Sequence, residues 1–71
     1  MPEILFEMRY QGNVVRVTAI DAATGTEVIT VGDANRSTEA LKRVAARKLL
    51  YVLNRRAEER AKKDEDDGKI A

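Results

Sequence analysis

The sequence contains neither cysteine nor histidine. Without cysteine the chain has no disulfides or thiolates, and without either residue it lacks the usual ligands of transition metals. Catalysis normally needs a general base, an activated nucleophile or a metal held in a cleft. The remaining carboxylates show no helpful pairing on an ordered element, so we expect a protein that is not an enzyme, with no cofactor and no small-molecule substrate.

Two short segments have a composition that could bind a ligand. The densest acidic cluster is Asp64-Glu65-Asp66-Asp67, which could hold a metal only if a turn directed its oxygens inward, and charge runs of this kind are usually solvated. Gly32-Asp33 is a single glycine beside a predicted helix start and lacks the glycine spacing of a phosphate loop. The sequence therefore predicts no catalytic, cofactor-binding or metal site.

Long hydrophobic runs are also missing, because no apolar segment reaches the roughly 18 residues that cross a membrane. The start of the chain, Met1-Pro2-Glu3, lacks the positive charge that opens a secretory signal. A chain without cysteine suits a reducing cytoplasm. These features predict a cytosolic protein that does not contact the membrane.

The length of 71 residues is too short for two hydrophobic cores, and a chain of this size buries only about 60% of its unfolded surface. Small domains usually add a disulfide, a metal or a second subunit to reach sufficient stability. Since the composition excludes a disulfide and the usual transition-metal site, self-association is the remaining way to stabilise this domain.

Alternation of apolar and polar residues predicts two strands joined by a tight turn. Residues 3–10 alternate with a period of two, Gly12-Asn13 has the glycine-first composition of a type II′ hairpin turn, and a second strand follows over residues 14–21. This turn places Gln11 opposite Val14, so that the apolar side chains of both strands share one face.

A second reversal and a helix complete the predicted fold. Residues 21–26 form a four-residue hairpin loop with Gly25 in the left-handed conformation, and the third strand covers residues 26–31. The segment 32–35 breaks the strand, Ser37 caps a helix that runs to about Lys63, and residues 64–71 form a charged, disordered tail. The fold class is α+β, a three-stranded antiparallel β-meander packed on one long C-terminal helix, in a single domain of residues 1–63.

The predicted helix carries more apolar surface than one small sheet can cover. Leu41, Ala45, Leu49 and Val52 form the stripe that should contact the sheet face of Phe6, Met8, Val17 and Val28. A second stripe lies beside it, and the opposite face of the sheet also carries aliphatic groups. Either surface could bind a second copy of the chain, although single exposed aliphatic residues are normal in monomers. The candidate interface residues are Ala46, Leu50, Leu53 and Ala57 on the helix and Leu5, Ile20, Ile29 and Val31 on the sheet.

Basic residues are concentrated on the helix although the net charge is only +1. Arg43, Arg47 and Tyr51 follow one another at intervals of four, which could place two guanidinium groups along a phosphate backbone. The alternative is a solvated polar face on which Arg43 pairs with Glu39. The candidate nucleic-acid contacts are Lys42, Arg43, Arg47, Lys48 and Arg55.

The segment 37–50 resembles the last helix of the double-stranded-RNA-binding domain, through Ser37, Lys42, Ala45, Ala46 and Leu50. That family also places a three-stranded antiparallel sheet before this helix, and the resemblance implies a phosphate contact for Lys42. Two lysines of the family's motif are Thr38 and Glu39 here, and the family's first helix has no counterpart.

The chain as a whole resembles a family of short uncharacterised bacterial proteins, a domain of unknown function. The matching segments are Leu5-Phe6-Glu7, the turn of residues 21–27 and the helix start of residues 39–43. The resemblance implies a free-standing small protein and no particular activity. We expect a non-catalytic protein-interaction module, most simply a homodimer, with a nucleic-acid-binding accessory protein as the alternative.

Overall fold

A computed structural model describes the backbone of residues 3–70 and the side chains of residues 3–63. Strands β1 (Ile4–Gln11), β2 (Val14–Asp21) and β3 (Glu27–Asp33) precede helix α1 (Thr38–Ile70). The strands form one antiparallel sheet in the order β1-β2-β3, and α1 packs against it. The predicted α+β meander with a long C-terminal helix is confirmed. The helical backbone continues to Ile70, beyond the predicted end near Lys63, whereas the predicted disorder of residues 64–71, whose side chains are not described, stays a prediction.

The first hairpin has the predicted turn and register. Gly12 has φ 60°, and no described non-glycine residue has a positive φ, which is the pattern of a type II′ turn and not of a type I′ turn. Gln11 lies opposite Val14 and Met8 opposite Val17. A slip of one residue would have moved every apolar side chain of β1 to the other face.

The second hairpin also follows the prediction. Gly25 adopts φ 75°, its amide donates to the Asp21 carbonyl at 2.8 Å, and the Asp21 amide donates to the Thr26 carbonyl at 2.8 Å. Ala19 therefore lies opposite Val28, and β3 continues the apolar face of the first two strands.

Strand β3 is longer than predicted, because Gly32 and Asp33 pair with Val15 and Val14 instead of breaking the strand. The Leu41 side chain lies directly over Gly32: a Cβ atom there would be 2.9 Å from Leu41 Cδ1 and closer still to Cδ2. The glycine thus serves a close helix–sheet contact rather than a turn.

The helix begins where the sequence indicated. The carbonyl of Ser37 accepts from the Leu41 amide at 3.4 Å, so Ser37 occupies the N-cap position before Thr38. From Asn54 to Lys63 every side chain is exposed. In the part of the chain that the structure describes, no helix combines the length and the apolar character that a bilayer crossing requires.

The core lies between β2 and the first half of α1. Three residues of the predicted helix stripe lie in the core, since Leu49 and Ala45 are fully buried and Leu41 packs against them, and the fourth, Val52, is half-buried. Partly buried Ile4, Val28, Ala34 and Leu53 surround this centre. The fully buried apolar residues are Val15, Val17, Ala19, Ala45 and Leu49.

Of the inner face of β1 only Ile4 packs against this core, which corrects the expectation that Phe6 and Met8 lie beneath the helix. Helix α1 packs mainly on β2 and β3. Leu41 rests on Gly32 of β3, and Arg56 Nη1 donates to Thr26 Oγ1 at 2.9 Å. Both contacts hold the helix toward β3, so β1 is left uncovered.

Candidate interaction surface

The uncovered part of the sheet and the neighbouring side of α1 form an apolar surface, which we call the β1 groove and define as Phe6, Met8, Ala46 and Leu50. Phe6 is 39% exposed, Met8 36% and Leu50 40%, while Ala46 is half-buried. The β-strand places Phe6 and Met8 on the face that holds the core. These large apolar side chains stay partly exposed because the helix does not extend fully over β1.

Lys42 shows which side of α1 borders this groove. Its Nζ lies 5.9 Å from the centre of the Phe6 ring and 3.5 Å from Glu39 Oε1. At 100° per residue, Ala46 and Leu50 lie on the same side of the helix as Lys42. A cation over a ring face is favourable, so Lys42 bridges the helix and β1 at one end of the groove.

The predicted helix interface is therefore divided. Leu53 is half-buried and packs against the core, so it stabilises the monomer. Leu50 and Ala57 are exposed, and Ala46 is half-buried between them and the core. Of the four predicted helix residues, Ala46 and Leu50 border the exposed side chains of β1.

The predicted interface on the outer face of the sheet is also largely exposed. Leu5 is 49% exposed, Ile29 50% and Val31 59%, whereas Ile20 is half-buried and lies opposite Leu5. Glu7 and Arg9 share this face, with Arg9 Nε 3.3 Å from Glu7 Oε1. The aliphatic residues are thus mixed with charges, unlike those of the β1 groove.

The five candidate nucleic-acid contacts do not form one patch. Lys42 points toward β1, while Lys48 lies on the opposite side of the helix, in a shallow depression beside Val28. Arg55 Nη2 lies 3.7 Å from Glu59 Oε1, and its guanidinium is 6.0 Å from the centre of the Tyr51 ring. Arg43 is exposed, and Arg47 lines the same depression as Lys48. The pairing of Arg43 with Glu39 was wrong because Glu39 pairs with Lys42.

Arg56 has a structural role that the sequence did not indicate. Its guanidinium donates to Thr26 Oγ1 at 2.9 Å, and the hydroxyl oxygens of Thr26 and Thr24 are 2.8 Å apart. Thr24 Oγ1 in turn donates to Asp21 Oδ2 at 2.6 Å. The spacing Asp-x-x-Thr-Gly-Thr was the only available signal, and it indicated the turn without indicating its partner on the helix.

The described residues offer little acid–base chemistry. Among residues 3–63 no three acidic side chains come together in a way that could hold a metal ion, and Asp64–Asp67 lies outside the described side chains. The non-catalytic character predicted from the sequence remains a prediction.

Comparisons with known proteins give one finding. No curated protein matches the chain, and no solved structure matches it. The family described as "Domain of unknown function (DUF6898)" matches residues 1–56, which include all three strands and the helix as far as Arg56, whose side chain makes the last described hydrogen bond to the sheet. The resemblance to an uncharacterised family is confirmed, and the chain belongs to this domain of unknown function.

Proposed function

We propose that this protein is a non-catalytic interaction module that associates with a second copy of itself through the β1 groove. The observation that carries the proposal is the exposure of Phe6 and Met8 on the face of the sheet that holds the core. Fully burying a Phe or Met side chain stabilises a protein by about 1.5–3 kcal/mol. More than a third of each residue is still exposed in the monomer. Burying this remaining apolar surface against a partner would stabilise the complex relative to the free monomers.

The small core supports the same conclusion. Only five apolar residues are fully buried among those described, and neither a disulfide nor a histidine–cysteine metal site can add stability to this composition. A second copy is the partner that is always present at the protein's own concentration. Self-association through the groove would give a core shared by two chains.

The experiment is a measurement of mass in solution by analytical ultracentrifugation over a wide concentration range. We expect a reversible dimer whose dissociation constant rises at least tenfold in Met8→Glu, because that variant places a charge on the groove. The matched control is Leu5→Glu, which introduces the same charge on the same strand but on the outer face, and we expect it to dimerise as the wild type does.

Two results would contradict the proposal. A protein that stays monomeric at millimolar concentration would remove self-association altogether. A dimer that Leu5→Glu dissociates and Met8→Glu leaves intact would assign the interface to Leu5, Ile20, Ile29 and Val31 on the outer face of the sheet.

Nucleic-acid binding is the second candidate, supported by the absence of acidic partners around part of the basic helix. Among residues 3–63, no carboxylate forms an ion pair with Arg43, Arg47 or Lys48. Tyr51 is 62% exposed beside them. Unpaired guanidinium groups next to an exposed ring are suited to phosphates and bases.

A titration with duplex RNA and duplex DNA at low salt tests this candidate. We expect binding that weakens steeply with salt and that is lost in the double variant Arg43→Glu, Arg47→Glu. The double variant Lys62→Glu, Lys63→Glu changes the same charge on the exposed later part of the helix and serves as the control. Equal losses in both double variants would show a nonspecific charge effect and would remove the candidate.

A further inference from the structure

The free edge of β1 carries an unused row of backbone hydrogen-bonding groups. The Glu3 carbonyl accepts from the Ala22 amide at 3.0 Å, so the odd-numbered residues of the β1 segment direct their N–H and C=O groups toward β2. Antiparallel pairing alternates along a strand. The groups that face away from the sheet therefore belong to Ile4, Phe6, Met8 and Tyr10.

This edge carries two charged residues of opposite sign, Glu7 and Arg9, but none of the backbone features that normally prevent a strand from pairing with another chain. Natural proteins protect edges with bulges, prolines, lysines or very short strands. Strand β1 has eight residues from Ile4 to Gln11, none of them proline or lysine, and its register with β2 is continuous without a bulge. The edge is thus open along its whole length.

We infer that two copies join along β1 as antiparallel neighbours with Met8 on the twofold axis, which forms a continuous six-stranded sheet. This inference rests on the proposed self-association and assigns its geometry. The inner faces of both copies lie on the same side of the sheet, so Phe6 of one chain lies opposite Tyr10 of its partner. These side chains, 39% and 59% exposed in the monomer, then contact one another across the junction.

Charge on the outer face selects this register from its neighbours. With Met8 on the axis, Glu7 of each chain lies opposite Arg9 of the other, which gives two attractive cross-strand pairs. A shift that centres the pairing on Glu7 places two glutamates opposite each other, and a shift that centres it on Arg9 places two arginines opposite each other. Like charges directly opposite on a sheet are destabilising, so of these three registers only the Met8-centred one is complementary.

The other edge of the sheet, strand β3, is less suited to pairing with a second copy. The inner face of β3 is covered by α1, with Thr30 only 6% exposed and Val28 half-buried. Pairing at that edge would bury little apolar surface from the inner face. Its outer face carries acidic residues at both ends, Glu27 and Asp33, so the most extensive antiparallel pairing of two β3 strands brings negative charges together.

Two charge-reversal variants test the register in the full-length chain. In Glu7→Arg two pairs become arginine–arginine, and in Arg9→Glu two pairs become glutamate–glutamate. We expect each variant alone to dimerise roughly tenfold more weakly than the wild type, because two cross-strand pairs change from attraction to repulsion. An equimolar mixture should recover wild-type affinity, because every pair in the mixed dimer joins an arginine to a glutamate.

Arg16→Glu is the matched control, since Arg16 lies on the same outer face but on β2, opposite Arg9 and away from the edge. We expect it neither to weaken the dimer as Arg9→Glu does nor to rescue either variant in mixtures. A rescue by Arg16→Glu would show that net charge alone controls association, and it would overturn the register.

Single cysteines provide a direct geometric test, because the chain has no native cysteine. Residues that lie on the axis as a hydrogen-bonded pair have Cα atoms about 5.5 Å apart, within the range that a disulfide spans. In this register, two copies of position 7 or of position 9 are diagonal neighbours about 8 Å apart. With oxidised glutathione as the oxidant, Met8→Cys should form a covalent dimer, and Glu7→Cys and Arg9→Cys should not.

The outcomes separate this inference from the proposed function. A wild-type dimer that responds to Met8→Glu but to neither charge reversal would leave self-association standing and overturn the edge pairing in favour of face-to-face packing. Covalent dimers from Glu7→Cys or Arg9→Cys, with none from Met8→Cys, would overturn the register alone. A wild-type protein that is monomeric throughout would remove both.

Discussion

Gly32 allows the start of helix α1 to lie close to strand β3. Glycine in a strand interior costs backbone entropy and contributes no side chain to packing. Here it lies beneath Leu41, whose Cδ1 atom would be 2.9 Å from a Cβ at this position. The close contact brings the start of α1 down onto β3 and away from β1.

Replacing Gly32 by alanine tests this contact. We expect Gly32→Ala to lower the free energy of unfolding by roughly 1–3 kcal/mol, because the added methyl group displaces the half-buried Leu41. Urea denaturation followed by circular dichroism measures the change. In a Leu41→Ala background the same substitution should be neutral or stabilising, and an equal loss in both backgrounds would show that the Leu41 contact is not the cause.

Two elements, the β2–β3 hairpin and the helix, are joined by a short polar chain. Thr26 is 9% exposed and Asp21 3% exposed, and buried polar groups of this kind need partners to avoid an energetic cost. Arg56 supplies one of them from the helix, at 2.9 Å from the Thr26 hydroxyl. This hydrogen bond to the β2–β3 loop thus fixes the position of the helical turn that contains Arg56.

Arg56→Met keeps much of the side-chain length and removes the donor. We expect it to lower the free energy of unfolding by about 1 kcal/mol, the usual contribution of one hydrogen bond, measured as a shift of the urea midpoint at unchanged slope. Arg55→Met is the matched control, because Arg55 makes only exposed contacts, an ion pair with Glu59 and an approach to the Tyr51 ring, and such exposed contacts contribute little. Equal effects in both variants would argue against a specific role of Arg56.

The molecule as a whole has an incomplete second layer: one helix covers two of the three strands. A dimer formed at the third strand couples association to folding, so stability should depend on protein concentration. We expect the thermal midpoint to rise by roughly 3–6 °C for each tenfold increase in concentration above the dissociation constant.

Differential scanning calorimetry at several concentrations measures this dependence. The midpoint of the Met8→Glu variant should rise less over the same concentration range, since its larger dissociation constant leaves a smaller fraction of it dimeric. A wild-type midpoint that is equally constant would contradict coupling between association and folding.

The elements and their register could be predicted from the sequence because each depends on local chemistry. The period of two in residues 3–10, the glycines at positions 12 and 25 and the cap at Ser37 all predicted features that the structure has. Gly32 was misread as a strand break, because the sequence does not show that Leu41 packs above it.

The candidate site was predictable only in part. The sequence indicated surplus apolar surface and named Ala46 and Leu50, but it assigned Phe6 and Met8 to the core. Periodicity shows that a strand has an apolar face, and it does not show how far a helix extends across a sheet. That extent depends on contacts between residues far apart in the chain, here Leu41 with Gly32 and Arg56 with Thr26.

The sequence by itself determined three strands, two turns, one helix and the face on which their apolar side chains lie, since hydrophobic period and turn chemistry act between near neighbours. Only the tertiary structure decided that the helix covers β2 and β3 and leaves β1 open. The physical reason is that the lateral position of a helix on a sheet is set by a few long-range contacts, and two of them pull α1 to the same side.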